Sequence, residues 1–218
     1  ETPAVRPTPV ETGDCDDKVI IITKAYQVVN QYCIRCGSSA SLTIPAGDSL
    51  PRHVCSACGH IHYENPRLVV GCVAEWEGNI LMCQRAIEPR RGYWTLPGGF
   101  MENGESTGQA AARETREEAG AEVDLDAPFA LINIPHINQV HLFYRGRLQT
   151  PAYSAGEESL DVVLLPPAEI PWKELAFRSV ALCLERYLVD RERAVFGFHE
   201  ANLDPNSSAG HSAILQHN

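Results

Sequence analysis

Residues 98–121 constrain the fold more than any other part of this sequence, because they join a glycine-rich turn to a helix whose two ends are both marked. Residues 106–109 fit the S-x-x-Q capping box, so the helix is predicted to begin at Thr107. Three successive alanines (residues 110–112) favour its continuation, and Gly120 suits its C-terminal stop. We therefore expect a short turn followed at once by a helix of a little over three turns.

This helix carries three carboxylates, Glu114, Glu117 and Glu118, whose i, i+3 and i+4 spacing places them on one face. Two like charges about 5 Å apart, in a medium of effective dielectric constant about 20, repel each other by on the order of 3 kcal/mol. Only Arg113 and Arg116 lie close enough in sequence to offset this repulsion. The helix alone leaves two interpretations: a face bathed in water, or a face that holds Mg²⁺ or Mn²⁺, which also bridge to substrate phosphates.

The wider spacing favours the metal. From Gly99 onward the chain reads G-x5-E-x7-R-E-T-R-E-E-A-G-A, which resembles the Nudix box, G-x5-E-x7-R-E-U-x-E-E-x-G-U. Every fixed polar and glycine position matches, and Thr115 and Ala121 stand where the family usually has a larger aliphatic residue. The chain is identified as a member of the Nudix hydrolases. The resemblance implies an α/β fold, an α/β/α sandwich with a mixed β-sheet.

The resemblance also implies a metal site and roles around it. The expected ligands of Mg²⁺ or Mn²⁺ are Glu114, Glu117, Glu118 and the carbonyl of Gly98. Glu105 is expected to orient a metal-bound water, and Arg113 to orient the carboxylates by charge-assisted hydrogen bonds.

A further glutamate is expected from outside the box, because Nudix folds commonly place one on a late loop. Glu158 is the candidate, with Asp161 and Glu157 behind it, and a solvated acidic loop is the alternative. The proton of the attacking water would pass to Glu158 or, as the alternative, to Glu117.

Substrate contacts are less marked in the sequence. Arg85 ends a predicted strand where Nudix enzymes often have an arginine near the pocket, although a surface ion pair is the alternative. Glu102, His136 and Asp161 are further candidates, and a lone histidine in a strand context more often has a structural role. The S-Q-P-W-P-type array of zinc-ribbon Nudix enzymes that hydrolyse NADH is not found beyond the box, which argues against NADH as the preferred substrate.

A second signature precedes the box. Two C-x2-C-G knuckles, separated by 18 residues, contain Cys33, Cys36, Cys55 and Cys58. Four thiolates from two such turns form a tetrahedral zinc site with no open position, so we predict a structural zinc rather than a catalytic one. The alternatives are two disulfides or free buried thiols. With few basic residues and aromatics between the knuckles, scaffolding or a dimer contact is favoured over nucleic-acid binding.

The other cysteines, Cys15, Cys72, Cys83 and Cys183, have no such spacing and are interpreted as ordinary thiols, the last three of them buried. Such scattered thiols favour a reducing compartment. The net charge of −10 argues against nucleic acid as a partner, and no run of residues approaches the roughly 18 apolar residues of a membrane span.

Four regions are expected along the 218 residues: a flexible leader with a short strand (1–30), a zinc ribbon (31–64), a Nudix domain (65–200) and a loosely ordered tail (201–218). Within the Nudix domain we predict a hairpin over 68–85, strands over 130–134, 140–144 and 162–165, and a helix over 178–188. Because the chain starts with Glu1, the compartment is open: plastid for a processed plant or algal chain, otherwise cytoplasm.

The order of these motifs resembles one subgroup, the zinc-ribbon Nudix hydrolases of plant plastids that act on FAD and ADP-ribose, together with their bacterial relatives. The resemblance implies metal-dependent cleavage of FAD to FMN and AMP, or of ADP-ribose to ribose 5-phosphate and AMP, by a homodimer. Three alternatives stay open: an NADH or nucleoside triphosphate pyrophosphohydrolase, a nucleotide-binding module without catalysis, and a zinc-ribbon adaptor that carries the enzyme.

Overall fold

The computed structural model describes residues 32–204. The chain divides into two compact units, Glu1–Tyr63 and Glu64–Asn218. The predicted leader, with its short strand and Cys15, and the tail from residue 205 onward lie outside the described residues. No helix of the described part is both long enough and apolar enough to cross a membrane.

The first unit contains a three-stranded antiparallel sheet of strands β1 (Ala40–Thr43), β2 (Arg52–Cys55) and β3 (Ile61–His62), in that order. Two tight turns carry the knuckle cysteines, closed by hydrogen bonds from the Gly37 N–H to the Cys33 carbonyl and from the Gly59 N–H to the Cys55 carbonyl. Of residues 32–63, Cys33, Cys55 and His62 are buried, whereas Ile34 and Leu42 are largely exposed. The described part of this unit, residues 32–63, therefore has almost no apolar core.

The second unit is a mixed sheet with one helix on each face. Its strands are β4 (Arg67–Trp76), β5 (Asn79–Arg85), β6 (Trp94–Thr95), β7 (Gly98–Phe100), β8 (Val123–Ile134), β9 (Gln139–Leu148), β10 (Ser159–Leu165) and β11 (His199–Asn202). Its helices are α1 (Thr107–Ala119) and α2 (Arg178–Arg193). The main path runs β10-β5-β4-β9-β8-β11, with β6 on β5 and β7 on β4. The pairs β4–β9 and β8–β11 are parallel and the others antiparallel.

The alternation of side chains along β4 shows how the layers form. Val73 packs in a core cluster with Val180 and Leu184 of α2, whereas its neighbours Cys72 and Ala74 pack in another cluster with the C-terminal end of α1. Successive side chains of a strand point to opposite faces, so one buried strand serves two cores. The predicted α/β/α sandwich with a mixed sheet is confirmed.

The glycine turn of the box is held directly against β4. One edge of β4 pairs with β7 through residues 69–71 and with β5 through residues 75–76. A Cβ atom on Gly98 would lie 2.6 Å from the Cα of Gly71, closer than real Cβ contacts come. The absence of a side chain at Gly98 therefore lets the start of the box lie on the centre of the sheet.

Most predicted elements are present, with shifted ends. The structure confirms the hairpin over 68–85, the start of α1 at Thr107 and its stop at Gly120. Helix α2 continues to Arg193, five residues past the predicted end. Ala201 and Asn202, which were assigned to the loose tail, belong instead to β11, because this strand pairs in parallel with β8.

Candidate active site

The N-terminus of α1 is fixed by local hydrogen bonds, which sets the phase of its carboxylates. The backbone N–H of Gln109 donates to the Ser106 hydroxyl and the Ser106 N–H donates to the Gln109 side chain, completing the capping box. At the other end, Gly120 adopts a left-handed conformation and its N–H donates to the carbonyl of Arg116. Thr115, one of the two departures from the family pattern, is fully buried and donates to the Ala111 carbonyl.

Two of the three box carboxylates are buried against the glycine turn. Glu118 is 6% exposed and its Oε2 accepts a hydrogen bond from the Gly98 N–H at 2.9 Å. Glu114 lies so close that a Cβ on Gly99 would come within 2.6 Å of its carboxylate. Glu117 is the exposed member, with 58% of its side chain accessible. The interpretation of a solvated acidic face is therefore wrong for Glu114 and Glu118.

Arg113 connects the acidic residues. Its guanidinium donates two hydrogen bonds to Glu105, at 3.0 and 2.8 Å, one to Glu114 at 2.8 Å and one to Glu117 at 2.9 Å. It also donates to the Phe100 carbonyl at 3.2 Å. These contacts, chiefly the bond from Arg113, lower the pKa of Glu105 to about 2. Arg113 thus holds Glu105, Glu114 and Glu117 in one arrangement.

Glu105 itself is occupied by protein partners on both oxygens. In addition to Arg113, it accepts a hydrogen bond from the Glu102 N–H at 2.6 Å. This placement ties the loop before α1 to the helix, which fits a positioning role. The predicted contact of Glu105 with a metal-bound water stays a prediction.

The buried carboxylates carry charge that the protein does not fully offset. Burial raises the pKa of Glu118 to about 7, against the opposing hydrogen bond from Gly98, and the nearby charge of Glu114 raises it further. Burial also raises the pKa of Glu114, although Arg113 opposes the rise. A cation beside these oxygens would relieve both effects.

The predicted outside glutamate, Glu158, lies within electrostatic range of the box carboxylates. Its carbonyl accepts a hydrogen bond from the Ala86 N–H at 2.7 Å, immediately after β5. Its charge is close enough to contribute to the raised pKa values of Glu114 and Glu118. The fold therefore places a glutamate from a loop about forty residues further along the chain within electrostatic range of two carboxylates of the box helix.

Arg85 also lies at this end of the sheet. Its positive charge lowers the pKa of Glu118, which places it near the carboxylates, and its guanidinium lies 5.0 Å from the ring centre of Phe177. The guanidinium of Arg85 donates a hydrogen bond to the Pro89 carbonyl at 2.9 Å. Arg85 forms none of the ion pairs among the described residues, which argues against the alternative of a surface ion pair.

Of the other candidates, Glu102 contacts the box through its backbone, whereas Asp161 and His136 form none of the described hydrogen bonds or ion pairs with the box carboxylates. Asp161 is exposed on β10 and accepts a hydrogen bond from the N–H of the next residue, Val162. His136 is exposed in the 3-10 turn Pro135–Ile137, and none of the described hydrogen bonds or ion pairs joins it to the box. His141 is buried and bonds to Ser179 and Gln139, which gives it a structural role.

The donor set fits a hard divalent cation in its chemistry. Carboxylate oxygens are the ligands that Mg²⁺ and Mn²⁺ prefer, and Glu114, Glu117 and Glu118 offer them from one face of α1. Within residues 32–204, however, the four knuckle cysteines are the one group with three or more ligand atoms all within 4.8 Å of one another. Since Arg113 bridges Glu114 and Glu117, an ion would use their remaining oxygens or displace that bridge. The Gly98 carbonyl stays a predicted ligand.

The four cysteines have the geometry of a zinc site. The Sγ atom of Cys36 lies 3.5 Å from that of Cys55 and 3.5 Å from that of Cys58, and the Sγ atoms of Cys33 and Cys58 are 3.7 Å apart. A tetrahedron with Zn–S bonds of about 2.3 Å has edges of about 3.8 Å, so the set fits one zinc ion with little change. The described cysteines are free thiols, and Cys72, Cys83 and Cys183 are buried, as predicted.

The sequence places Glu158 on a late loop but does not predict how that loop is held against α1. Residues 154–156 lie against the last turn of α1, through hydrogen bonds from Ser154 to Ala119 and from Gly156 to Glu118. The one signal in the sequence was a glycine two residues before the predicted base. No periodic pattern marks such a contact between a loop and a helix end.

Comparisons with known proteins agree with this architecture. The model of the Nudix N-terminal zinc ribbon matches residues 31–64, and the model of the NUDIX domain matches residues 65–183. The crystal structure of a NUDIX hydrolase from Nitrosomonas europaea is similar, with 46% sequence identity and a TM-score of 0.78. The alignment covers 79% of this chain and 98% of that one.

Two curated relatives differ in their named substrates. An ADP-ribose pyrophosphatase of Methanocaldococcus jannaschii is 40% identical over 58 residues, which cover 27% of this chain and 34% of that protein. A CTP pyrophosphohydrolase of Escherichia coli is 35% identical over 119 residues, which cover 49% of this chain and 87% of that protein. The chain spans about a third of the length of the first curated relatives that it matches.

Proposed function

From the premise that this chain belongs to the Nudix hydrolase family, we propose that it hydrolyses the pyrophosphate bond of nucleoside diphosphate derivatives with a divalent metal. The observation that carries the proposal is the acidic site itself. Glu114 and Glu118 are buried against the box glycines, Glu117 lies beside them on Arg113, and Glu158 arrives from another loop. A binding module without catalysis would be expected to lack some of these glutamates.

In the proposed reaction, residues of this chain would hold the metal, orient its carboxylate ligands and accept a proton from water. Glu114, Glu117 and Glu118 would bind Mg²⁺ or Mn²⁺, which when bound neutralises the pyrophosphate and stabilises the charge that develops on it. Arg113 keeps Glu114 and Glu117 in place through its two hydrogen bonds. Water attacks one phosphorus in line, and Glu158, or Glu117 as the alternative, accepts its proton.

We propose FAD and ADP-ribose as the substrates. Support comes from the motif order, a zinc ribbon followed by the box and the late glutamate, and from the similarity to a relative named for ADP-ribose. Hydrolysis would give FMN and AMP from FAD, and ribose 5-phosphate and AMP from ADP-ribose. A nucleoside triphosphate is the second candidate, since the relative with the greater coverage is a CTP pyrophosphohydrolase.

Steady-state rates on FAD, ADP-ribose, NADH and 8-oxo-dGTP, each with Mg²⁺ and with Mn²⁺, test the proposal. We expect the highest kcat/KM on FAD or ADP-ribose, with AMP among the products. A higher efficiency on NADH or on the triphosphate would overturn the substrate assignment. No turnover of any of them would favour the non-catalytic module.

The variant Glu117→Gln tests the metal assignment. We expect turnover to fall by at least about a hundredfold, since a neutral amide is a poor ligand for a hard cation, while the fold is unchanged because the side chain is exposed. Circular dichroism and zinc content serve as controls. A rate near that of the wild type would show that Glu117 does not hold the metal.

For its partners, we propose a small dinucleotide-type substrate and a second copy of the chain, and no nucleic acid or membrane. Light scattering after size-exclusion chromatography tests the homodimer. A salt-titrated RNA-binding assay tests the adaptor alternative, which affinity at physiological salt would support.

A further inference from the structure

The loop that carries Glu158 is docked onto the C-terminal end of the box helix. The Ser154 N–H donates to the Ala119 carbonyl at 2.8 Å, and the Gly156 N–H donates to the Glu118 carbonyl at 3.0 Å. The last carbonyls of a helix have no partner within the helix. Here the loop supplies two of the missing donors, so its position depends directly on α1.

The contact is so close that it requires glycine. A Cβ on Gly156 would lie 1.8 Å from the carbonyl oxygen of Glu117 and 2.9 Å from its carbonyl carbon. Gly156 is not among the residues with positive φ, so the requirement is for space rather than for an unusual backbone conformation. On the helix side, a Cβ on Gly120 would come within 2.2 Å of the Ser154 hydroxyl. Two glycines thus face this junction, one from each side.

The loop has a second anchor just beyond Glu158. The Ser159 N–H donates to the Gly156 carbonyl at 3.1 Å, which closes a turn with Glu157 and Glu158 at its tip. The Ala86 N–H holds the Glu158 carbonyl at 2.7 Å, and β10 begins at Ser159. Glu158 is therefore held between α1 on one side and β5 on the other.

We propose that Gly156 is a positioning residue, whose missing side chain sets the distance between this loop and α1 and so places Glu158 beside Glu114 and Glu118. The proposal rests on the proposed function, in which Glu158 accepts the proton of the attacking water. A methyl group at position 156 overlaps a helix carbonyl, so the turn must move away from the helix and take Glu158 with it.

The test begins with Gly156→Ala in the full chain. We expect kcat on the best substrate to fall by about a hundredfold, the size of effect that a displacement of about 1 Å produces. KM, measured at saturating metal, should change little, because the box residues that would hold the metal are untouched. The matched control is Gly197→Ala, where an added Cβ meets nothing within 4 Å, and it should keep the kcat of the wild type.

A double-mutant cycle separates positioning from a general structural effect. If Gly156 acts through Glu158, then Gly156→Ala lowers kcat in the wild type but has little further effect in the Glu158→Gln variant. If the two effects multiply instead, the proposal is overturned. A wild-type kcat in Gly156→Ala overturns it as well.

A second variant covers the case in which Gly156→Ala does not fold. One glycine inserted between Gly156 and Glu157 keeps the helix contact but lengthens the connection to Glu158. We expect it to fold and to lose kcat to a similar extent, and a wild-type rate would overturn the proposal.

Mn²⁺ titration of the same proteins keeps this test distinct from that of the function. If the wild type cleaves none of the four substrates, the proposed function fails. Glu158 is not a ligand in the proposed function, but its negative charge acts on Glu114 and Glu118 and should therefore also attract a cation held by them. A weaker Mn²⁺ affinity in both Gly156→Ala and Glu158→Gln, but not in Gly197→Ala, would support the placement of Glu158, and equal affinity in all the proteins would overturn it.

Discussion

Glu118 combines burial with a charge that the fold alone does not offset. Its pKa is raised from 4.5 to about 7, mainly by burial, so the folded state binds a proton that the unfolded state has released. This contribution to stability is fully present below pH 4.5 and is lost as the pH rises through 7. Without a bound cation, the site is therefore a stability cost at alkaline pH.

We predict that Glu118→Gln is more stable than the wild type at pH 8 when no Mg²⁺ or Mn²⁺ is added. The neutral amide can still accept from Gly98, and the advantage over the wild type should grow by about 1–3 kcal/mol between pH 5 and pH 8. Urea unfolding at both pH values measures it. Glu117→Gln is the exposed control and should differ from the wild type by no more than about 0.5 kcal/mol. A constant difference across the range would contradict the prediction.

His141 has the opposite dependence on pH. Burial lowers the pKa of His141 from 6.5 to about 4, so between these pH values the ring is protonated in the unfolded chain and neutral in the folded chain. The associated stability is present above pH 6.5 and is lost as the pH falls towards 4. The neutral ring is hydrogen-bonded through one nitrogen to the Ser179 hydroxyl at 2.9 Å and through the other to the Gln139 side chain at 3.0 Å.

We expect the free energy of unfolding of the wild type to fall by about 2–3 kcal/mol more than that of His141→Gln between pH 7 and pH 4.5. Other acidic groups titrate in both proteins, so the difference between the two curves isolates His141. Parallel curves would show that His141 is not buried in its neutral form.

At the scale of elements, α1 depends on its N-terminal cap. We predict that Ser106→Ala lowers the free energy of unfolding by about 1 kcal/mol, because the Gln109 N–H loses its acceptor. Ser106→Asp keeps an acceptor at the same place and should stay within a few tenths of the wild type. Urea denaturation of the three proteins is the measurement, and equal stability of the alanine and wild-type chains would exclude a role for this cap.

The elements that the sequence predicted well are those with local signals. Helix α1 was located to the residue because its cap, its alanines and Gly120 are all neighbours in sequence. Strand β11 was missed because its residues become a strand only by pairing with β8, about seventy positions earlier in the chain. The start of β8 at Val123 was missed as well, since this segment is set by its pairing with β9 rather than by a pattern of its own.

The same distinction between local signals and long-range contacts applies to the candidate site. Box spacing identified Glu114, Glu117 and Glu118, but spacing cannot show which carboxylates are buried. In the structure Glu114 and Glu118 lie against the glycines of β7, whereas Glu117 is exposed. The docking of Gly156 on the helix end is a contact between distant segments made by a residue without a side chain. Such a contact leaves no periodicity to detect.

At the scale of the whole molecule, the two units depend on different sources of stability. The three hydrophobic clusters lie entirely within residues 70–203, whereas the buried side chains of residues 32–63 are two cysteines and one histidine. We therefore expect residues 32–63 to depend on a zinc ion bound by the four cysteines, as small domains without a sufficient core generally depend on a metal.

We predict that Cys36→Ser loses its zinc and that residues 32–63 become sensitive to protease, while the second unit keeps its own cooperative unfolding transition. Metal analysis, limited proteolysis with mass spectrometry and calorimetry test the three parts. Cys72→Ser changes a buried thiol outside the ribbon and should keep the zinc. Loss of the main calorimetric transition together with zinc would show that the second unit cannot fold alone.

The paired glycines at the end of the box helix also matter for engineering. Suppose that residues 150–158 are replaced by the corresponding loop of another such enzyme while the box is left untouched. The transplant can succeed only if the incoming loop carries a glycine that matches Gly156 and the recipient helix keeps Gly120. The loop and the helix end that receives it must therefore be exchanged together.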